Sequence, residues 1–196
     1  MKQFRILFIA MALALTGAIT AAPATAQGTK IIVVDQNRVL RESKAGKDIA
    51  SKIKTIEAQM KRELEPTAKS LESMGKSLEA KTANMTPEAI RADESLRSEA
   101  MTFRTKMADL SKEREKRSQE LALTERNASM AFSKALGPVL EQVMQEENAD
   151  IMMSAGDVMI AMGSSDVTDK VISRLDQTTT SIAVTRKRLP EQAQQQ

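Results

Sequence analysis

The apolar residues in the N-terminal part of the chain follow two different patterns. Lys30 to Val34 holds a short, continuous run of β-branched residues, which is typical of a buried strand. Asp35 follows directly and is a suitable N-cap for a short helix over residues 37–43. Gly46 predicts a bend or a close approach, and from Lys47 apolar residues recur every three or four positions, as in a helix with a narrow coiled-coil seam. The predicted seam residues are Ile49, Ile53, Ile56, Met60, Leu64, Ala68, Leu71, Gly75 and Leu78.

A second long helix follows a break at residues 83–90. Thr86 is a candidate N-cap, and Pro87 occupies the first helical position. The seam of this helix is predicted to contain Leu96, Ala100, Phe103, Met107 and Leu110, then, after the charged positions Arg114 and Arg117, Leu121, Thr124, Ala128 and Ala131. Two long helices joined by a short turn form an antiparallel hairpin. An arm of about 40 residues is about 60 Å long and must project from the rest of the chain.

Two features predict flexing of this arm. Pro66 lies inside the first helix, where it removes a backbone hydrogen bond and is expected to kink or loosen the helix. The charged seam positions Arg114 and Arg117 interrupt the apolar contact between the helices. We therefore assign arm flexing to Pro66 and to this charged gap.

Short apolar runs return after the hairpin. The helix is predicted to restart at Pro138 and to end near Asn148. Residues 150–154 and 158–162 predict two strands separated by a Gly turn. A short helix capped by Asp166 comes next. The following stretch, SIAVTRKRL (181–189), is either one more strand or a mobile tail.

These elements predict an α+β fold that is mostly helical. Strands from both chain ends form a small β-sheet body, from which a long antiparallel coiled-coil hairpin projects. The predicted divisions are a signal peptide at 1–26, a body from 27–45 and 137–180, an arm at 46–136 with its tip near 83–88, and a strand followed by a flexible tail at 181–196. A sheet of only a few short strands buries too little apolar surface to be stable alone, so an oligomer is expected. The candidate oligomer-forming residues are Ile31, Ile32, Val33, Val34, Ile151, Met153, Val158 and Ile160.

The first residues have the composition of an export signal. A basic MKQFR is followed by an apolar stretch and by ATA before Gln27, which fits cleavage after small residues. The apolar stretch is shorter than a spanning helix requires. The sequence contains no Cys, so neither a disulfide nor a lipid-modified N-terminal Cys is expected. We predict that the mature chain is periplasmic.

The composition excludes most catalytic chemistry. The absence of both His and Cys rules out Ser–His and Cys–His nucleophilic pairs and most zinc sites. There is no Gly-rich phosphate loop, and the acidic residues at 146, 147, 150 and 157 lack calcium-loop spacing. Net charge falls from +3 to about +1 once Lys2 and Arg5 are removed, which argues against nucleic acid as a partner. We predict a protein that is not an enzyme and has no cofactor or metal.

Three stretches together resemble a known family. They are KIIVVDQNRVLRESKAGK (30–47), LGPVLEQVMQEENADIMMSAGDVMI (136–160) and SSDVTDKVISRL (164–175), and in this order they resemble the Skp, or OmpH-like, family of periplasmic chaperones. The resemblance implies a homotrimer whose hairpins surround a cavity and hold unfolded outer-membrane proteins without ATP. The strand after Asn148 lacks an aromatic residue often found there, and the segment after Asp176 matches no family motif.

The outer part of the hairpin supplies candidate client contacts. Methionine is flexible and polarizable, which suits contact with many different apolar partners, although the same residues can simply fill the seam. The candidates are Met74, Leu78, Met85, Ile90 and Met101. Between Arg38 and Gln145 there are 21 Lys and Arg against 17 Asp and Glu, an excess that favours acidic unfolded clients in a trimer. A lipid or lipopolysaccharide surface stays open as a further partner, since no basic site for it can be matched.

A second interpretation is a structural coiled-coil spacer or adaptor of the cell envelope. An adaptor for one folded partner would more often carry an aromatic or arginine anchor patch, and none is visible in the sequence. Salt-sensitive binding to many unrelated unfolded proteins separates the chaperone from the spacer.

Overall fold

A computed structural model describes residues 28–190, so the predicted signal peptide at 1–26 and the end of the predicted tail lie outside the described residues. Two short strands and five helices follow one another, with two short 3-10 turns between the second strand and the last helix. The elements are β1 (Ile31–Val34), α1 (Gln36–Glu42), α2 (Lys44–Thr82), α3 (Pro87–Ala92), α4 (Glu94–Glu146), β2 (Ile151–Ser154), 3-10 turns at Ala155–Asp157 and Gly163–Ser165, and α5 (Thr168–Thr178).

The two strands pair in parallel and bring the chain ends together. Their register runs from Ile31 opposite Ile151 to Val34 opposite Ser154. A parallel pair requires the long connection to return to the same end of the sheet, and the α2–α4 hairpin provides it. The predicted α+β fold, mostly helical with a small sheet and long helices, is confirmed.

The predicted strand at 158–162 is wrong. Ala155–Asp157 forms a tight 3-10 turn instead of an open Gly turn, and Ser154 Oγ accepts a hydrogen bond from the Gly156 amide at 3.3 Å. The other edge of β1 is bridged by Asp166, and the next amide, that of Val167, donates to Val33 O at 2.9 Å. The run at 158–162 therefore has no free edge of β1 to pair with and is left beside the sheet.

The core lies where the sheet, the base of the hairpin and α5 meet. Val39 of α1, Val143 of α4, and Val171 and Leu175 of α5 have no exposed surface. They pack in one cluster with Ile32 and with other residues of both hairpin helices. Burial of these aliphatic side chains removes apolar area from water and is the main force that holds the two chain ends together.

The helix starts follow the predicted capping chemistry. Asp35 accepts from the Arg38 amide at 2.8 Å, and Thr86 accepts from the Ala89 amide at 3.3 Å. Asp166 accepts from the Thr168 amide at 2.8 Å, although the cap position itself is Val167. The Thr168 hydroxyl in turn accepts from the Asp35 amide at 2.9 Å, which joins the starts of α1 and α5.

Both internal prolines lie within continuous helices. The predicted restart at Pro138 is wrong, because α4 runs unbroken from Glu94 to Glu146. Leu136 and Val139 are buried in the core on either side of Pro138, and this packing offsets the missing backbone hydrogen bond. Pro66 lies within α2 and is exposed, so flexing at this position stays a prediction.

The chain after α5 runs back along the base of the hairpin. Residues 179–190 form no strand, so the predicted strand at 181–189 is wrong. Ile182 is 8% exposed and belongs to the core cluster, and Val184 packs against it. The segment is held by side chains of the two long helices rather than by a sheet edge.

Gly46 is a point of close approach, as predicted. An ideal Cβ on Gly46 would lie 1.6 Å from the carbonyl oxygen of Leu40, whereas a Cβ on Gly137 in α4 would meet nothing within 4 Å. Gly46→Ala should therefore lower the free energy of unfolding by more than about 2 kcal/mol. Gly137→Ala should raise it by about 0.5 to 1 kcal/mol through helix propensity. Urea unfolding followed by circular dichroism measures both, and equal effects would contradict this packing.

Candidate functional site

The large apolar side chains that remain exposed fall into two groups. One group lies on the body: Ile31, Ile151, Met159, Ile160 and Met162. The other lies on α4: Met101, Met107, Leu123 and Met130. A contiguous exposed apolar surface on a soluble chain usually marks a binding surface.

The first group, which we call the body patch, borders the two-stranded sheet. Met159 is 98% exposed and Ile160 87% exposed, and both lie on the run that the sequence assigned to a strand. This run and the sheet enclose a groove of about 470 Å³ with Ile31, Met153 and Val158 in its lining. Within the described residues β2 has no partner strand on its outer edge. The patch thus combines apolar side chains with unpaired backbone groups.

The structure divides the predicted oligomer-forming residues into two sets. Ile32, Val33 and Val34 are at most 6% exposed and belong to the chain's own interior. The outward-facing set comprises Ile31, Ile151 and Ile160, with Met153 and Val158 half-buried beside them. Met159 and Met162, which were not among the predicted oligomer-forming residues, are also exposed on this run.

Only one of the predicted client-contact residues is largely exposed. Met101 is 72% exposed on α4. The others, Met74, Leu78, Met85 and Ile90, are half-buried in the outer part of the hairpin. They are accessible only in part while the two helices stay in contact.

Three apolar residues of α4 share a face that points away from the hairpin seam. At about 100° per residue, Met101, Leu123 and Met130 lie within about 40° of one another on the helix. The buried residues Leu110 and Ala128 lie on the opposite side of α4. We call Met101, Leu123 and Met130 the outer stripe. Leu123 and Met130 were not predicted as contact residues, although their position off the predicted seam could have indicated them.

Basic side chains accompany the outer stripe. Lys112, Arg126 and Lys134 lie within about 60° of Met101 on the same helical projection. Among the described residues none of the three has a carboxylate within 4.0 Å. Glu115, at the edge of this face, binds the side chain of Gln119 at 2.9 Å. The outer stripe is therefore an apolar and cationic surface.

The charges of α2 are satisfied mainly within that helix. Glu57 pairs with Lys61 at 2.7 Å, and Glu65 pairs with Lys69 at 2.6 Å. In each case the hydrogen bond from the lysine, with its charge, holds the pKa of the glutamate below its usual range. Such exposed pairs contribute little to stability. They engage only part of the charge on α2, which holds nine Lys and Arg against six Asp and Glu. Positive charge therefore remains on α2 as well as beside the outer stripe of α4.

Ion pairs between side chains bridge the predicted charged gap in the seam, and a groove lies beside it. Arg117 lies 3.2 Å from Glu63 of α2 and 3.5 Å from Glu120 of its own helix. Beside it is a groove of about 420 Å³ whose apolar floor includes Met60, Leu64, Ala68 and Leu121. The seam is thus less tightly filled here than at the body. Flexing at Arg114 and Arg117 stays a prediction.

Over residues 28–190 no group of three or more His, Cys, Asp or Glu side chains is arranged to hold a metal ion. Within the same range no helix is long and apolar enough to cross a membrane.

The chain is similar to known proteins along most of its length. A family model described as outer membrane protein (OmpH-like) matches residues 30–175. A crystal structure from Caulobacter crescentus, whose proposed role is that of an outer membrane chaperone (OmpH-like), superposes with a TM-score of 0.70 at 25% identity. That match covers 84% of this chain and 94% of the other. No curated protein matches the sequence.

The exposure of the methionines can be checked chemically. Mild peroxide should oxidise Met101, at 72% exposure, at least about ten times faster than Met60, at 4%. Peptide mass spectrometry over a time course measures both rates in one sample. Equal rates in the folded chain would show that the outer stripe is covered or that the seam at Met60 is open.

Proposed function

The chain belongs to the OmpH-like family of outer membrane proteins, and from this premise we propose that it is a periplasmic chaperone that holds unfolded outer-membrane proteins without ATP. The observation that carries this proposal is the outer stripe with its accompanying basic residues. Unfolded β-barrel chains expose apolar segments, and acidic clients would also be attracted to Lys112, Arg126 and Lys134. Exposed methionine adapts to many client sequences.

We further propose that the chain works as a homotrimer assembled through the body patch. Two short strands are too small a sheet to be stable without further pairing, and among residues 28–190 no strand pairs with the outer edge of β2. Residues 158–162 supply an exposed apolar run that suits pairing with that edge in another copy. The number three comes from the family resemblance. In a trimer the outer stripes of three arms act together, so weak contacts sum to useful affinity.

Holding and release without ATP are also consistent with binding through many weak contacts. Many shallow contacts release a client as soon as a competing binding or folding step lowers its free energy. The excess of basic residues speeds capture and makes it sensitive to salt, since charge attraction at the surface is screened. The predicted export signal supports a periplasmic location for this activity.

Removal of the outer stripe should weaken holding. In the triple variant Met101→Ser, Leu123→Ser, Met130→Ser, loss of apolar contact should raise by about ten-fold the amount of chain needed to suppress aggregation. The assay dilutes a urea-unfolded outer-membrane β-barrel protein into buffer without ATP and follows light scattering. Thr105→Ser with Gln119→Ser, on the same face of α4, is the matched control. Equal suppression by the stripe variant and the control would contradict the assignment of the stripe.

Introduction of a charge into the body patch should prevent assembly without unfolding the chain. Ile160 is 87% exposed, so Ile160→Asp costs the single chain little, while a buried carboxylate in an oligomer interface is unfavourable. Sedimentation should give a mass of three chains for the unchanged protein and of one for the variant. Ser164→Asp, exposed in the same region, controls for charge. A single-chain mass for the unchanged protein would contradict the trimer.

A further inference from the structure

The segment after α5, residues 179–190, lies beyond residue 175, where the match to the family model ends. Its inner part is attached to α2. Asp48 Oδ2 accepts from the amide of Ile182 at 3.1 Å and from Ser181 Oγ at 2.9 Å. The ammonium of Lys52 donates to the carbonyl oxygen of Ile182 at 2.8 Å. The backbone of Ile182 is thus held on both its donor and its acceptor side, while its side chain enters the core.

The outer part of the segment is attached to α4. The Lys187 amide donates to Thr124 Oγ1 at 2.9 Å, and the Leu189 amide donates to Glu120 Oε1 at 3.3 Å. Glu120 is 1% exposed and Thr124 is also 1% exposed. A buried carboxylate on a helix surface requires a partner, and here the segment supplies it.

Arg186 is the residue that joins both helices. Its guanidinium donates to Glu120 Oε2 of α4 at 2.7 Å and to Glu63 Oε1 of α2 at 2.6 Å. Its side chain is only 13% exposed. Charge-assisted bonds of this kind in a partly desolvated site are strong and directional. The guanidinium therefore fixes the spacing of α2 and α4 at the level of Glu63 and Glu120.

The hairpin is packed less well beyond this point. Of the described residues 61–119, which form the outer arm, only Leu71, Leu96 and Leu110 are buried. Beyond Glu63 the ion pair that connects the two helices of the hairpin is Lys81 with Glu99, at 2.7 Å and exposed. Few buried contacts correspond to a low free energy of local opening.

From these contacts we propose that residues 179–190 are a clasp that holds the inner half of the hairpin closed and confines opening of the arm to the part beyond Glu63 and Glu120. The clasp would set where each arm bends and how far it opens. This is a statement about the mechanics of the chain itself and does not depend on the identity of any client.

Distance measurements between spin labels test the clasp directly. The sequence has no Cys, so introduced pairs carry all the labels. The inner pair is Thr55→Cys with Glu125→Cys, and the outer pair is Ser73→Cys with Thr105→Cys. These four positions are exposed. Labelled chain is diluted with unlabelled chain so that only distances within one hairpin are measured. With the clasp intact, the distribution of label-to-label distances should be narrow for the inner pair and broader for the outer pair.

The clasp is released by Glu120→Gln combined with Arg186→Gln, which leaves no buried charge without a partner. This variant should at least double the width of the inner distribution. The matched control is Lys187→Ala, which also removes one positive charge from the segment but retains its backbone bond to Thr124, and it should leave the width unchanged. An inner distribution of the same width in the double variant and the control would overturn the proposal.

Hydrogen exchange on the unchanged chain keeps the proposal testable if the double variant fails to fold. Backbone amides of residues 48–63 should exchange at least ten times more slowly than those of residues 67–80. Equal rates would overturn the proposal. Neither experiment contains a client, so its outcome is separate from that of the light-scattering assay.

Discussion

The parallel pairing of β1 with β2 is the constraint on which the rest of the structure depends. The strands come from residues 31–34 and 151–154, so everything between them must leave the body and return to the same end of the sheet. Two long helices satisfy that requirement with one turn. The core that surrounds the pair, with Val39, Val143 and Leu175 fully buried, then fixes the base of the hairpin. The arm projects because the body offers it no further surface to pack against.

The same constraint explains why the exposed apolar surfaces occur where they do. A sheet of two strands cannot cover its own outer edge, so Met159 and Ile160 remain in solvent beside β2. A hairpin of two helices covers one seam and leaves the opposite face of α4 free, where Met101, Leu123 and Met130 lie. In our account the first surface is covered by other copies of the chain, and the second stays free for clients. In our account assembly and client binding both use surfaces that the small sheet and the single hairpin seam leave uncovered.

Sequence periodicity predicted the hairpin well, since seam spacing is a local property and the caps Asp35 and Thr86 are local too. It failed where contacts between residues far apart in the sequence determine the local structure. Pro138 alone suggests that a helix restarts there. In the structure Leu136 and Val139 are buried on either side of it, and α4 is continuous. The run at 158–162 has the composition of a strand, but the outer edge of β1 is already occupied by Asp166 and Val167. The clasp was missed because its anchor, Glu120 with Arg186, joins residues 66 positions apart and carries no periodic signal. Of the client-contact candidates only Met101 lies in the outer stripe, and Leu123 and Met130 were not among them.

The most direct test of the central claim is site-specific photo-crosslinking of an unfolded outer-membrane barrel protein to the arm. A photoreactive residue is placed at Met130 in the outer stripe and, separately, at Gln142 on the body end of the same helix, where the side chain is also exposed. Our account predicts strong crosslinks from position 130 that disappear once the client has folded, and weak ones from position 142. Equal labelling from both positions, or crosslinks that persist with the folded client, would contradict a chaperone that holds unfolded chains along its arms.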